Sequence, residues 1–333
     1  MNVRRTLIPS AATLCLMGVV IPLDQAAAAI VTRCDGEAAG ASIPGDLVVP
    51  AGASCELANT AIQGSVTVRK GANLALVDAS TIGGNLTVAA DGFAEVVDSS
   101  VGGSVTGRDP YSIILQATDV NGGIDVRAGG SSPFDSTLYA AGALVNGSLT
   151  ARGSEVFVQS STIVGAVDTR SGVLTDLTDS TLHATLLVQG NELGSLVCAS
   201  EVDGDATFAR NGYGLQIGGA GQFGSCDGDS YWGGDVTING NTGDVIGIDV
   251  SHNIVRGSLT GDGNAPVPTG TGNRVRGGAS GQFADLQPGM SAATARTGAP
   301  APGTEAARLD RGAIDARRAI ADAASAAAGP AFA

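Results

Sequence analysis

The interval 204–234 holds the residues of this sequence best suited to binding a ligand, because acidic and aromatic side chains cluster there. It is the longest interval in a repeated pattern, and it contains the chain's only tryptophan. Aromatic faces beside carboxylates can bind sugars, and long loops on repeat scaffolds often carry binding residues. Four residues form this candidate ligand-binding site: Tyr231, Trp232, Asp227 and Asp229. We favour the interpretation that both rings instead pack over the nearby Cys226 as a hydrophobic plug.

A second set of polar residues precedes successive repeats by a few positions. Its members are Asp78, Asp98, Asp119, Asp179 and Gln159. Acids on adjacent coils of a β-helix can bind cations or act in acid–base catalysis, as polysaccharide lyases and hydrolases require. Asp is equally common in turns, where its side chain caps backbone N–H groups, and we favour that interpretation. Arg127 or Arg152 alone does not complete a catalytic site.

Other catalytic and metal-binding patterns find little support. His183 and His252 lie about seventy residues apart and belong to no motif, and no cysteine pair has the close spacing of a zinc site. Asp227-Gly-Asp229 is too short for an EF-hand loop. The sequence therefore predicts no catalytic residues, no metal and no cofactor. An enzyme stays open as the less favoured alternative.

A short phrase recurs through the middle of the chain: a small residue, any residue, an aliphatic residue, a polar residue and usually an apolar one. It begins at Gly64, Gly84, Gly103, Gly122, Gly147, Gly165, Ala184, Gly204, Gly234 and Gly257. A period of about twenty residues is typical of stacked repeats. Alternating apolar and polar residues predict short half-buried strands, separated by turns. The sequence predicts an all-β fold, a right-handed parallel β-helix of about ten coils. The right-handed form is favoured because left-handed β-helices have a stricter six-residue repeat.

These repeats resemble those of secreted bacterial β-solenoid proteins and, more distantly, the bactofilin type of polymer-forming β-helix. The resemblance covers residues 60–260 and depends on the repeated phrase, so it implies the fold more than a role. Bactofilins are cytoplasmic scaffolds, whereas this chain begins with an export signal. Their cytoskeletal role is therefore not transferred to this chain.

Composition divides the chain into five predicted segments. They are a signal peptide at 1–29, an N-terminal cap at 30–59, the solenoid at 60–283, a linker at 284–303, and an Ala-rich helix or disordered tail at 304–333. The first segment has a basic start, an apolar core and small residues at its end, as secretory signals do. The last is rich in alanine, but its apolar stripe is thin, so we expect a helix that does not pack on the solenoid.

Four cysteines remain once the signal is removed, an even number that suits disulfides in an exported chain. Three connectivities are possible. Pairing of nearest neighbours is the simplest, joining Cys34 to Cys55 and Cys198 to Cys226, each about one coil apart.

The net charge of the whole chain is −14. Residues 30–291 contain 11 Lys and Arg against 27 Asp and Glu, or 11 − 27 = −16. Such a surface repels nucleic acids and anionic lipids. We expect a secreted or cell-surface bacterial protein, a monomer, with a structural role in adhesion, presentation or an envelope scaffold. Its partner would be a cell-surface glycan or an envelope component. A carbohydrate-binding or polysaccharide-cleaving β-helix is the alternative.

Overall fold

A computed structural model describes residues 30–129, 136–219, 221, 223, 224, 226, 228–286 and 302–332. The predicted signal peptide and most of the predicted linker lie outside these residues. Within them the chain winds through three short strands per turn and stacks these turns into three parallel sheets. The predicted parallel β-helix is confirmed, with twelve turns rather than about ten. The difference arises because the ten repeated phrases correspond to turns three to twelve, and residues 31–43 and 46–62 form two further turns before them. The right-handed winding stays a prediction.

Sheet 1 has twelve parallel strands and carries the repeated phrase. Its strands are Val31–Arg33, Asp46–Val49, Val66–Val68, Leu86–Val88, Val105–Arg108, Ile124–Arg127, Leu149–Arg152, Val167–Arg170, Leu186–Gln189, Ala206–Ala209, Val236–Asn239 and Leu259–Thr260.

Sheet 2 has eleven parallel strands, which follow those of sheet 1 in each turn. Its strands are Gly36–Ala39, Ser54–Ala58, Asn73–Val77, Phe93–Val97, Ser112–Gln116, Ser136–Ala141, Ser154–Gln159, Thr175–Thr178, Ser195–Cys198, Gly214–Ile217 and Gly247–Val250.

Sheet 3 has twelve mostly two-residue strands that complete each turn. Its strands are Ser42–Ile43, Ala61–Ile62, Thr81–Ile82, Ser100–Val101, Asp119–Val120, Leu144–Val145, Thr162–Ile163, Thr181–Leu182, Glu201–Val202, Ser230–Trp232, Asn253–Val255 and Arg274–Val275. A short 3₁₀ helix, Gly281–Phe283, follows the last strand, and an α-helix spans Pro302–Ala328.

The repeated phrase has a direct physical basis in this stack. Its two apolar residues, such as Val66 and Val68, point inward and are fully buried, while the polar residue between them faces outward. Its leading glycine lies against the turn below: a Cβ on Gly84 would lie 3.0 Å from the carbonyl carbon of Gly64 and closer still to Ser65. A larger side chain at this position would separate the turns, which is why the phrase begins with a small residue.

Two corners of the column are held by ladders of polar side chains. At one corner, each hydroxyl accepts a hydrogen bond from a backbone N–H of the preceding turn, as Ser80 does from Thr60 at 3.0 Å. At another, Asn211 donates to Asn241 at 2.9 Å, and Asn241 donates to Asn264 at 3.0 Å. These asparagines are at most 4% exposed. The ladders satisfy buried polar groups that three aliphatic sheets would otherwise leave unpaired at the corners.

The favoured disulfide pairing is confirmed. Cys34 bonds to Cys55 and Cys198 bonds to Cys226, with Cα atoms 5.6 and 5.4 Å apart. Cys34 and Cys55 belong to the first and second turns and are buried in the core. This disulfide therefore joins the two turns at the start of the column.

The C-terminal helix packs along sheet 2, which differs from the predicted loose attachment. The Tyr111 hydroxyl, in the fifth turn, donates to the carbonyl of Ala313 at 3.1 Å. Ser325 donates to Glu56, in the second turn, at 3.4 Å. The helix therefore runs back along the column toward the first turn.

Two arginines fix this helix to sheet 2. Arg318 forms a salt bridge with Glu95, whose side chain is only 8% exposed. Arg317 donates to the Asn73 side chain at 2.8 Å and lies over the Tyr111 ring, 5.2 Å from its centre. Polar and acidic residues on sheet 2 thus find their partners on the helix, an arrangement that a count of apolar residues does not detect.

Small residues allow the helix to approach the sheet closely. Ala321 and Ser325 are 5% and 1% exposed, and Ile314 packs into a cluster with Phe93. Ile320, which the sequence places on the apolar side, is 61% exposed. The docking face therefore follows one helical stripe in which small residues accompany Ile314.

The tail after the helix pairs with the first strand of sheet 2. The N–H of Glu37 donates to the carbonyl of Gly329 at 2.9 Å, and the N–H of Ala331 donates to the carbonyl of Glu37 at 2.8 Å. Open strand edges attract pairing with other chains. The tail covers this edge with a segment of the same chain.

Candidate functional site

The predicted acidic row occupies solvent-exposed corners. Asp78, Asp98 and Asp179 have φ angles of 55°, 47° and 49°, which place them in left-handed turns. Asp119 instead begins a strand of sheet 3, and Gln159 ends a strand of sheet 2. These five residues do not form one column, and the three corner aspartates match the turn-forming interpretation.

Of the predicted ligand-binding residues that the structure describes, Trp232 faces inward, away from Tyr231 and Asp229. Trp232 is fully buried and packs edge-to-face on Phe208, with ring centres 6.0 Å apart. Its indole N–H donates to Asn253 at 2.9 Å. The tryptophan is therefore a core residue, because strand alternation turns it inward, and it has no free face for a sugar.

Tyr231 and Asp229 contribute separate surface groups. Tyr231 is half-exposed and accepts a long hydrogen bond from Arg256 at 3.4 Å. Asp229 is exposed and lies 3.6 Å from the His252 ring nitrogen. Asp227 lies outside the described residues. The predicted sugar-binding platform therefore lacks Trp232, its central ring. Tyr231 belongs instead to a cluster with arginines at the end of sheet 3.

Sheet 1 carries an arginine ladder that the repeated phrase alone does not reveal. Four consecutive strands end in register-matched arginines. They are Arg108, Arg127, Arg152 and Arg170. All four side chains face outward, in turns five to eight. Neighbouring strands are about 4.8 Å apart, so the ladder spans about 14 Å.

Two aspartates neutralise part of the ladder. Asp125 accepts from Arg108 and Arg127, each at 3.1 Å. Asp168 pairs with Arg170 through two contacts of 2.7 and 3.0 Å. Four cations therefore face two anions.

The electrostatics of the ladder reflect these pairs. Burial tends to raise the pKa of Asp125, but hydrogen bonds from Arg108 and Arg127 outweigh it and hold that pKa below its usual range. The hydrogen bond to Asp168 raises the pKa of Arg170. Arg152 forms no ion pair with any described residue, although it stands between two other arginines.

A smaller arginine cluster lies at the end of sheet 3. Tyr231, Ile254 and Arg274 are register-matched and face outward. An open cavity of about 430 Å³ adjoins them. It is lined by Ile254, Val255, Arg256, Arg274, Val275 and Arg276.

The ladder has a sequence signal that only alignment of the repeats reveals. Each of its arginines follows the first residue of its phrase by five positions, as Arg108 follows Gly103 and Arg152 follows Gly147. Arg69 has the same offset from Gly64. Unequal intervals of 19, 25 and 18 residues between the four arginines hide the ladder from inspection of a single segment.

The fold places this chain in the class of parallel β-solenoids. Comparison with models of protein families, with characterised proteins and with solved structures found no match. Among the described residues, no three His, Cys, Asp or Glu side chains group as metal ligands. None of the helical segments that the structure describes has the length and apolar character needed to span a bilayer.

One carboxylate on sheet 2 gives a test of the electrostatics. Burial raises the pKa of Asp176 to about 7, despite a 3.1 Å hydrogen bond from the N–H of Leu196. The neutral form is favoured by folding, so its stabilising contribution is complete below about pH 4 and is lost as the pH rises through 7. We expect Asp176→Asn to raise the free energy of unfolding at pH 8 by about 2–4 kcal/mol. Urea unfolding from pH 4 to 8 measures this.

The matched control is Asp98→Asn, at an exposed left-handed corner that asparagine tolerates. At pH 8 it should change the free energy of unfolding by less than about 0.5 kcal/mol. Equal profiles for Asp176→Asn and the unmodified protein would show that the Asp176 carboxyl is solvated.

Proposed function

We propose that this chain is an exported structural β-solenoid without catalytic activity, associated with a surface in adhesion, presentation or an envelope scaffold. The observation that carries the proposal is the return of the C-terminal helix and tail over sheet 2 to the first strand. This contact covers sheet 2 from the first to the fifth turn, and part of one end of the column, with the chain itself. Sheets 1 and 3 are outer faces of the column, which is about 53 Å long.

Such a column suits a load-bearing or presenting role. Each turn hydrogen-bonds to the next in parallel register, so rigidity extends along its whole length. The covered edge of sheet 2 removes one template for chain-to-chain pairing, which supports the predicted monomer. Two disulfides suit an oxidising compartment outside the cytoplasm, consistent with the predicted signal peptide.

Fractionation of the native cells tests this proposal. We expect the epitope-tagged protein in the envelope fraction, lacking residues 1–29 and with no free thiols. The purified protein should leave a panel of neutral and acidic polysaccharides at their original length. A reduced cytoplasmic protein, or depolymerisation of any polysaccharide, would contradict the proposal.

The second candidate function is carbohydrate binding. The buried Trp232 does not support the predicted loop as its site. The observation that favours this function is instead the outward arginine ladder, whose guanidinium groups suit acidic sugars.

A further inference from the structure

We infer that the arginine ladder of sheet 1 binds an acidic polysaccharide that lies along the column across turns five to eight. This inference rests on the proposed surface-associated function and names its partner class. It starts from the distribution of charge. Seven of the eleven Lys and Arg residues between 30 and 291 lie on or at the edge of sheet 1: Arg33, Arg69, Arg108, Arg127, Arg152, Arg170 and Arg210.

The ladder is unfavourable for the protein on its own. Like charges directly opposite each other on neighbouring strands destabilise a sheet. Arg152 faces Arg127 on one side and Arg170 on the other, and no described carboxylate pairs with it. Cations are few in a chain with a net charge of −14, so its composition does not explain why four of them lie on consecutive strands. A bound anion would relieve this repulsion.

The geometry of the ladder selects an extended ligand with repeated charges. One guanidinium group projects from each turn, at intervals of about 4.8 Å. This interval is close to the length of one sugar unit in an extended chain. Guanidinium groups bind carboxylates and sulfates through paired hydrogen bonds. Uronate or sulfated sugars can therefore meet successive arginines along the column.

The column of residues beside the ladder suits sugars better than nucleic acids. The outward positions two residues before the ladder alternate between hydroxyls and carboxylates. They are Thr106, Asp125, Thr150 and Asp168 in turns five to eight. These hydroxyls can exchange hydrogen bonds with sugar hydroxyls. Single-stranded nucleic acids require aromatic side chains on which bases stack. Sheet 1 has one aromatic residue among its described strands, Phe208, and it is buried.

The acidic remainder of the surface argues against a membrane as the ligand. A planar anionic bilayer would meet many of the 32 acidic side chains as well as the ladder. A narrow polysaccharide contacts the ladder alone. The chemistry and the width of the ladder together favour a single acidic glycan chain.

The experiment measures binding of the oxidised protein to polygalacturonate, dextran sulfate and uncharged dextran by biolayer interferometry. The test variant is Arg127→Gln/Arg152→Gln. The control variant is Arg274→Gln/Arg276→Gln, which makes the same change in net charge on sheet 3. We expect an acidic polymer to bind and dextran not to bind. The ladder variant should weaken binding about 10–100-fold, while the control stays within about twofold.

Several results would overturn the inference. They are binding to neither acidic polymer, an equal loss in the two variants, or equally tight binding to phosphatidylserine vesicles or oligo(dT). Arg152→Gln alone provides a second variant, because that side chain has no described ion pair to lose, and it should weaken binding in the same direction. The envelope fractionation does not depend on these residues. It therefore tests the structural function separately from the binding of a glycan to the ladder.

Discussion

Replacing Trp232 by Ala is expected to lower the free energy of unfolding by about 3–5 kcal/mol. The ring is fully buried, packs edge-to-face on Phe208 and donates to Asn253 at 2.9 Å. Its removal leaves a large cavity and an unpaired amide oxygen in a turn near the end of a narrow core. Urea unfolding monitored by circular dichroism measures the change.

The neighbouring residue supplies the control. Tyr231→Ala removes an aromatic ring from the same strand, but that ring faces outward. We expect a change within about 0.5 kcal/mol. Similar losses for the two variants would mean that Trp232 does not occupy the core.

Replacing Arg318 by Ala is expected to release the C-terminal helix from sheet 2. The Glu95 carboxyl would lose the guanidinium that compensates it, in a site that is only 8% exposed. The helix then separates so that Glu95 can be hydrated. Because the Arg318 side chain is itself 35% exposed, we expect the free energy of unfolding to fall by about 2–3 kcal/mol, which is less than for a fully buried ion pair. Amide hydrogen exchange over residues 312–328 should rise strongly.

Asp315→Ala separates this effect from ordinary surface electrostatics. Asp315 also pairs with Arg318, at 3.2 Å, but its side chain is 69% exposed. Its loss should leave exchange in the helix nearly unchanged. Protection that survives Arg318→Ala would show that other contacts dock the helix.

The stack of turns could be predicted because the information that specifies it is local. Val66 and Val68 alternate with polar residues, and Gly84 returns twenty residues after Gly64. The first two turns could not be recognised in this way because they lack the full phrase. Residues 31–43, for example, build a turn around Cys34 with different side chains.

The docked helix and the arginine ladder could not be predicted in the same way, because both depend on register between distant segments. Glu95 and Arg318 are 223 positions apart. Arg127 and Arg152 become neighbours only when the 25-residue interval between them is recognised as a single long turn. Trp232 was misplaced for a related reason: the interval before it is long, but the strand that contains it keeps the inward and outward alternation.

The pairing of Gly329 and Ala331 with Glu37 has a consequence for the order of events during biogenesis. The first strand of sheet 2 leaves the ribosome well before the segment that pairs with it. Until that segment is made, the edge of this strand has no partner from the tail. Premature termination after the last turn would leave this strand edge uncovered and able to pair with other chains. A chaperone that binds the first turn would prevent such pairing until the tail is made.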